Sequence, residues 1–240
     1  MVDLELLRKI IKAPLSTPKE IIFLELGVLP LREIIRQKRL VFLFYILKQK
    51  SDSLIGKVFD TQMKNRTKKD WVTMVLKDLE ELELNITFLD MKHMSKKEWK
   101  NITKRSIEEK AFKNMEKAKQ NHSKVMKNEY EKLQIQSYFL PNRLDCSKDE
   151  IELIFKLRCN MTNLKMNTKN KYETHECRIC KSEDESQKHV YMCEKIWKIS
   201  GKNKENYPEY DKILEGNRKE QIMIAKVFKE HLKILEKGIS

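Results

Sequence analysis

The sequence predicts a mostly α-helical protein, an irregular multi-helix fold with a small cysteine-rich element and a C-terminal helix. Composition is the first observation behind this prediction. The 240 residues include only five glycines, five prolines and 8% aromatic residues, which favours helices over sheets. The second observation is that helix-capping patterns recur along the chain and are followed by apolar residues at helical spacing.

Two helices are predicted within the first fifty residues. In "STPKE", Thr17 and Glu20 form a capping box around Pro18, which suits the first helical position. Gly27 ends this helix. Pro30 begins the next one, which runs through "LREIIRQKRLVFLFYILKQ".

Three further helices follow before residue 121. One begins near Ser53, and Thr67 with Asp70 begins another. The apolar face of that second helix consists of Trp71, Val75, Leu79 and Leu82. Ser95 with Glu98 begins a long, strongly charged helix. Its predicted buried side consists of Trp99, Ile102, Ile107, Phe112 and Met115.

The pattern breaks around Pro141 and resumes in the C-terminal part of the chain. Ser147 and Glu150 form a capping box that begins a helix through "IELIFKLRC". The linker "SGKNKENYPEYD" then leads into the terminal helix "RKEQIMIAKVFKEHLKILEK". One side of the terminal helix is apolar and consists of Ile222, Ala225, Phe228 and Leu232.

Between these two helices lies a cluster of cysteines with the spacing Cys177-x2-Cys180-x8-His189-x3-Cys193. Two cysteines separated by two residues can turn both sulfurs toward one point, and residues four apart share one face of a helix. Three thiolates and an imidazole are soft ligands that favour Zn²⁺. Four protein ligands close the coordination shell, so the sequence predicts a structural zinc knuckle. Unrelated reduced cysteines remain the alternative, and His175 is a spare donor.

The other two cysteines, Cys146 and Cys159, are distant from the cluster in sequence and are predicted not to bind metal. An odd number of cysteines fits a reducing compartment better than a disulfide framework.

These features divide the chain into three predicted regions. Residues 1–140 are predicted to form a helical domain, and residues 141–200 a helix with the zinc knuckle. Residues 201–240 form a linker and the C-terminal helix. No internal repeat of fixed period occurs.

The charge balance points to the class of partner. Fifty lysines and arginines against thirty-six acidic residues give a net charge of +14, which favours a polyanion such as RNA or DNA. A solvated lysine-rich surface is the alternative. The apolar stretches are too short or too interrupted to span a bilayer, and no cleavable signal is evident. We therefore expect a soluble intracellular protein, nuclear or cytoplasmic, without a membrane partner.

Two basic segments are candidates for contact with nucleic acid. No acidic residue occurs from Leu153 to Tyr172. The candidates in this first segment are Lys156, Arg158, Lys165, Lys169 and Lys171. The second segment contributes Arg32, Arg36 and Arg39, near one helical stripe. A plain solvated face explains the second segment equally well. The loop of the zinc knuckle is less suited to phosphate, because it carries Glu183, Asp184 and Glu185.

Motifs of common enzymes are missing from the sequence. It contains no P-loop, no Gly-x-Gly-x-x-Gly, no Gly-x-Ser-x-Gly and no His-Glu-x-x-His. Adjacent aspartates that would hold two metal ions are also missing. The sequence therefore predicts a non-catalytic protein without a small-molecule substrate.

An ordered set of blocks resembles a known family. The blocks are "ELGVLPLREIIRQKRLVFLFYIL", "KDW", "MSKKEW", "NHSKVMKNEYEKLQIQSYF", "LIFKLRC" and the knuckle. Together they resemble the region that follows the reverse-transcriptase domain in Pol polyproteins of LINE-like non-LTR retrotransposons. The resemblance covers nearly the whole chain, but the polymerase and endonuclease of such polyproteins are missing.

The resemblance implies a function in handling element RNA or target DNA during reverse transcription. It matches Cys177, Cys180, His189 and Cys193 to the zinc knuckle of the family and matches no catalytic residue. The leading hypothesis is thus a zinc-stabilised nucleic-acid-binding fragment of a retrotransposon polyprotein. The alternatives are a zinc-stabilised protein-interaction module and a non-functional remnant.

Overall fold

The computed structural model describes residues 4–50, 52–120, 130–140 and 146–237, without the side chains of residues 169 and 170. It confirms the mostly helical fold, since these residues form twelve α-helices, three short 3-10 helices and no strand. The α-helices are α1 (Leu4–Ile11), α2 (Lys19–Leu26), α3 (Leu31–Leu47), α4 (Leu54–Lys64), α5 (Trp71–Glu81), α6 (Phe88–His93), α7 (Lys96–Gln120), α8 (Lys148–Arg158), α9 (Gln187–Met192), α10 (Glu194–Ser200), α11 (Lys212–Glu215) and α12 (Arg218–Lys237). The 3-10 helices are Ser137–Phe139, Lys165–Lys171 and Lys204–Asn206.

Contacts between residues divide the chain into two compact units. The first unit comprises residues 28–117, and the second comprises residues 4–27 together with the described residues from 118 onward. The predicted regions 1–140, 141–200 and 201–240 follow composition along the chain, whereas these units follow contacts between residues distant in sequence. Pro141, at the predicted break, lies outside the described residues.

The first unit is built around an apolar core to which α3, α5 and α7 contribute. Trp99 on α7 is fully buried, and its indole Nε1 donates a hydrogen bond to the Leu40 carbonyl on α3 at 2.8 Å. A tryptophan that is buried with its N–H satisfied contributes a large apolar area without an unpaired donor. The predicted apolar face of α5 is confirmed for Val75, Leu79 and Leu82, which are buried.

The predicted buried side of α7 is also confirmed in large part. Trp99, Ile107 and Met115 are buried, whereas Ile102 and Phe112 are only partly buried.

Capping interactions explain where several helices begin. Ser147 and Glu150 form the predicted capping box of α8, with Oγ accepting from the Glu150 amide at 3.3 Å. The Asp70 carboxylate caps α5 and accepts from the Thr73 amide at 2.7 Å. Two backbone hydrogen bonds, first from Thr67 and then from Thr73, lower the pKa of Asp70 to about 2.

The predicted capping box at Thr17 does not form. Pro18 occupies the N-cap position of α2, with no side-chain cap. Thr17 is buried, and its hydroxyl donates instead to the Met161 sulfur at 2.9 Å. Tertiary packing therefore overrides the local pattern here. The box between Thr87 and Asp90 that begins α6 was not predicted.

A buried ion pair lies at the centre of the second unit. The Glu25 carboxylate of α2 is fully buried and accepts hydrogen bonds from the phenols of Tyr130 and Tyr138, each at 2.5 Å. The guanidinium Nε of Arg158 on α8 lies 3.1 Å from the same carboxylate. Burial opposes the charge of Arg158, but the neighbouring Glu25 raises its pKa. Several partners thus compensate both desolvated charges.

Gly27 ends α2 because the position requires glycine. Its φ is +61°, and a Cβ there would lie 2.1 Å from the backbone of Gln134 and Ile135. An isolated antiparallel bridge joins Leu26 to Ile135 at this point, and the Gln136 amide donates to the Glu25 carbonyl at 3.0 Å. The close approach of two backbones therefore connects the N-terminal helices to residues more than a hundred positions later.

Candidate metal centre

Four predicted ligands come together in the second unit. One ligand atom from each of Cys177, Cys180, His189 and Cys193 lies within 4.8 Å of the others. Tetrahedral zinc with Zn–S distances of about 2.3 Å places sulfur atoms about 3.8 Å apart. The cluster therefore needs to contract by only about 1 Å, and its soft donor set fits zinc.

The first two ligands lie on a tight loop. An isolated antiparallel bridge pairs Glu176 with Asp184, and the Cys177 amide donates to the Glu183 carbonyl at 2.7 Å. The Lys181 amide donates back to the Cys177 carbonyl at 3.0 Å, and Lys181 has a φ of +57°. This left-handed residue closes the turn that brings Cys177 and Cys180 onto one side.

The imidazole of His189 is oriented by a carboxylate. Its Nδ1 lies 3.2 Å from Oε2 of Glu183, and its Nε2 lies 3.2 Å from the Cys180 sulfur. If the imidazole carries its proton on Nδ1 and donates it to Glu183, the unprotonated Nε2 faces the thiols and can bind a metal ion with its lone pair. Glu183, predicted only to repel phosphate, thus supports the ligand set.

Two consecutive helices supply His189 and Cys193. Ser186 caps α9, and its hydroxyl accepts from the His189 amide at 3.1 Å. Cys193 follows the last residue of α9 with ψ of 113° and is also the N-cap residue of α10. The prediction that one helix carries both ligands is therefore corrected by one residue, because the helix breaks at Cys193.

The environment of the thiols differs from one cysteine to the next. Burial raises the pKa of Cys177 to about 11 and also raises that of Cys193. Burial would raise the pKa of Cys180 too, but hydrogen bonds from Ser182, including one from its hydroxyl at 3.1 Å, outweigh it and lower the value to about 6. Cys180 is thus the thiol of the cluster that loses its proton most readily, and metal binding would displace the protons that remain on the others.

A second carboxylate of the loop has a structural function. Glu185 is fully buried, and its two oxygens accept from Nε and Nη2 of Arg178, both at 2.8 Å. It also accepts from the backbone amide of Lys165 at 3.3 Å. The expectation that Glu185 repels phosphate is therefore corrected, because its charge is neutralised inside the loop. Nothing in the local sequence pattern distinguished Arg178 and Glu185 from surface charges.

The C-terminal helix anchors the helices that carry the ligands. His231 on α12 is fully buried, and its Nδ1 lies 3.1 Å from the Val190 carbonyl on α9. Its ring packs edge-on against Trp197 of α10, with centroids 4.8 Å apart. Burial lowers the pKa of His231 to about 4. His231 is therefore a neutral packing residue.

The remaining candidate donors lie apart from the cluster. Cys146, Cys159 and His175 are not members of it. Burial raises the pKa of Cys146 to about 11 and raises that of Cys159 well above its usual value, so both keep their protons as thiols.

The basic residues predicted in the second unit differ in accessibility. Arg158 is 3% exposed and is bound to Glu25. The prediction that it contacts nucleic acid is therefore wrong, because it belongs to an ion pair in the core. Lys156 is partly buried and pairs with Glu152 at 2.6 Å. Lys171 is exposed and Lys165 is partly exposed, whereas the side chain of Lys169 lies outside the described structure.

The arginines predicted in the first unit are largely paired with carboxylates. Arg36 is 4% exposed and bonds to Asp78 at 2.9 Å, to Glu33 at 3.0 Å and to Glu81. The prediction that Arg36 contacts nucleic acid is therefore wrong as well, because it is buried and these carboxylates neutralise its charge. Arg39 pairs with Asp78 at 2.7 Å, and Arg32 remains mostly exposed.

The cluster can hold a metal ion, and a tetrahedral ion bound by all four residues would have no open position for a reacting water.

No helix within the described residues is long and apolar enough to cross a membrane. Comparison with protein-family models, with curated proteins and with solved structures finds no match for this chain.

Proposed function

We propose that the second unit is a zinc-stabilised nucleic-acid-binding module, in which Cys177, Cys180, His189 and Cys193 hold one structural Zn²⁺. The observation that carries the proposal is the convergence of their four ligand atoms within 4.8 Å. The carboxylate behind His189 and the lowered pKa of Cys180 support it further. In this proposal the ion is structural, because protein ligands fill its coordination shell. The chain is proposed to be non-catalytic because the sequence lacks polymerase and endonuclease motifs.

The nucleic-acid part of the proposal rests on the basic segment before Cys177. Lys171 is exposed, and the Lys165 ammonium lies 5.8 Å from the ring centroid of Tyr172. Tyr172 is 37% exposed, and an exposed aromatic ring beside lysines can stack on a base while the lysines neutralise phosphates. Tyr172 was not predicted as a site residue from the sequence. Its position between a basic run and a cysteine was the available signal.

We also propose that the chain derives from the region after the polymerase in a retrotransposon Pol polyprotein. The order of the quoted sequence blocks supports this origin, with element RNA or target DNA as the ligand.

A protein-interaction function is favoured by a separate observation in the first unit, a groove between α3 and α4.

A salt-dependent titration tests the nucleic-acid function. Binding of zinc-loaded protein to single-stranded RNA, single-stranded DNA and duplex DNA is measured by filter retention at two salt concentrations. The variant Lys165→Gln with Lys171→Gln should bind more weakly, with a salt slope smaller by roughly 0.7 to 0.9 for each phosphate that the variant no longer neutralises. Lys219→Gln with Lys233→Gln is the matched control, since both lysines are exposed on α12. Equal slopes for the two variants would contradict the proposed surface.

A further inference from the structure

An apolar groove lies on the first unit between α3 and α4. It has a volume of about 280 Å³, and Gln62 is the one polar side chain among the eight that line it. Three of its apolar residues are unusually accessible, with Phe42 45%, Val58 49% and Leu54 78% exposed. Large apolar side chains that remain exposed together indicate a surface that binds something.

The walls of the groove are held in place by aromatic contacts. Phe42 packs edge-on against Trp71 with centroids 5.5 Å apart, and it stacks on Tyr45 at 5.9 Å. The floor consists of Ile46 and Phe59, which belong to the buried core. The groove is therefore concave and already formed, with aromatic residues of the kind that carry most of the affinity at interfaces.

The helices beside the groove carry three lysines that form no ion pair among the described residues. Lys38 lies one turn before Phe42 on α3, and Lys57 and Lys64 lie on the flank of α4 next to Val58. Asp60 is the one carboxylate of α4; it lies within one turn of both Lys57 and Lys64 and lines a different cavity. The rim of the groove along these helices is therefore positively charged.

We propose that this groove binds an amphipathic helix of a partner protein, with apolar residues on one face and acidic residues along its flanks. An apolar channel between two helices accepts such a face at i, i+4 and i+7 spacing. Acidic flanks complement the lysines of the rim. A concave channel suits a helix better than it suits a flat bilayer surface. This proposal concerns the first unit and does not depend on the zinc site.

A model peptide serves as the probe. It is a helix of about 16 residues, or about 24 Å, with Leu and Phe on one face and Glu on both flanks. Two comparison peptides carry Lys in place of Glu or a scrambled order. Fluorescence anisotropy of the labelled peptides measures binding to the full chain. Far-UV circular dichroism verifies that each protein variant is folded.

Two pairs of substitutions locate the bound peptide. Leu54→Ser with Val58→Ser removes exposed apolar side chains from the groove. Leu6→Ser with Ile10→Ser removes similarly exposed side chains from α1 of the second unit and is the matched control. The first pair should weaken binding of the acidic peptide at least about tenfold, and the second pair should leave it unchanged.

Several results would overturn the proposal. They include equal binding of the Glu and Lys peptides, undiminished binding by the Leu54/Val58 variant, and no binding of the acidic peptide. Light scattering that shows a dimer of the parent chain and a monomer of this variant would assign the groove to a second copy. Binding of the parent chain, but not of this variant, to anionic vesicles would assign it to a lipid surface.

Discussion

The two units satisfy a buried arginine in different ways. In the first unit Arg36 faces three carboxylates, and one of them, Asp78, also pairs with Arg39. In the second unit Arg158 has one carboxylate, Glu25, together with the carbonyls of α11 at 2.9 and 3.2 Å. Arg39 and Arg32 also lie near carboxylates that bind Arg36, so we expect the first unit to tolerate the loss of Arg36 better than the second unit tolerates the loss of Arg158. In our proposal the second unit also depends on a metal ion.

Metal removal should give the largest difference between the units. Structural zinc contributes about 10 to 16 kcal/mol in small zinc-binding domains. We expect a chelator, or Cys177→Ser with Cys180→Ser, to raise hydrogen exchange in residues 165–200 and leave α3 and α5 protected. Zinc content, measured by mass spectrometry, should fall from one ion per chain to none. Unchanged exchange in both units after zinc removal would show that the ion is not structural.

Substitution of the two arginines should give the next largest difference. Arg158→Ala removes a buried guanidinium that bonds to Glu25 and to two carbonyls of α11, and it should cost about 3 to 5 kcal/mol of unfolding free energy. Arg36→Ala leaves Asp78 paired with Arg39 and Glu81 beside Arg32, so two of its three carboxylates keep a cation, and the variant should lose less stability. Urea unfolding of both variants measures the two values. Equal losses of stability would mean that the redundancy in the first unit has no energetic effect.

Acid should destabilise the second unit through His231. Its pKa is about 4 when folded, below the ordinary 6.5, so the unfolded chain takes up this proton first. The stabilisation that comes from keeping His231 neutral is therefore fully present above pH 6.5. It is lost as the pH decreases toward 4, and the loss of unfolding free energy amounts to up to about 3 kcal/mol.

His231→Phe should flatten this dependence when unfolding is followed at several pH values. His93→Gln, at an exposed histidine of α6 in the first unit, is the control and should leave the curve unchanged. A pH curve for the His231 variant that matches the parent would exclude His231 as its cause.

The smallest predicted effect concerns the carboxylate behind His189. Glu183→Gln keeps the shape of the side chain but weakens its support of the imidazole. We expect zinc affinity to fall about 10-fold to 100-fold while the fold is retained. Competition with a colorimetric chelator measures the affinity. Glu173→Gln, at an exposed carboxylate outside the cluster, should leave it unchanged.

Local patterns predicted much of this molecule. The capping box at Ser147, the apolar face of α5 and the clustering of Cys177, Cys180, His189 and Cys193 follow from short spacings, and the structure confirms all three. Such features depend on residues that are close together in sequence.

The errors concern long-range partners. Arg36 lies 42 residues from Asp78, and Arg158 lies 133 residues from Glu25. An arginine that is destined for a buried carboxylate looks the same in the sequence as one that faces water. The missed function of Glu183 and Glu185 has a related cause, because their contacts depend on how the cysteine loop turns.

The bridge between Leu26 and Ile135 has a consequence for synthesis of the chain. Glu25 emerges from the ribosome 105 residues before Tyr130, 113 before Tyr138 and 133 before Arg158. At a synthesis rate of about 5 to 20 residues per second, these partners are made roughly 5 to 25 seconds after α2. During that interval Ile21, Ile22 and Leu24, which end fully buried, have no complete binding surface. The first unit, residues 28–117, is synthesised during that interval. We therefore expect nascent α2 to expose apolar surface that chaperones could bind until its partners are made.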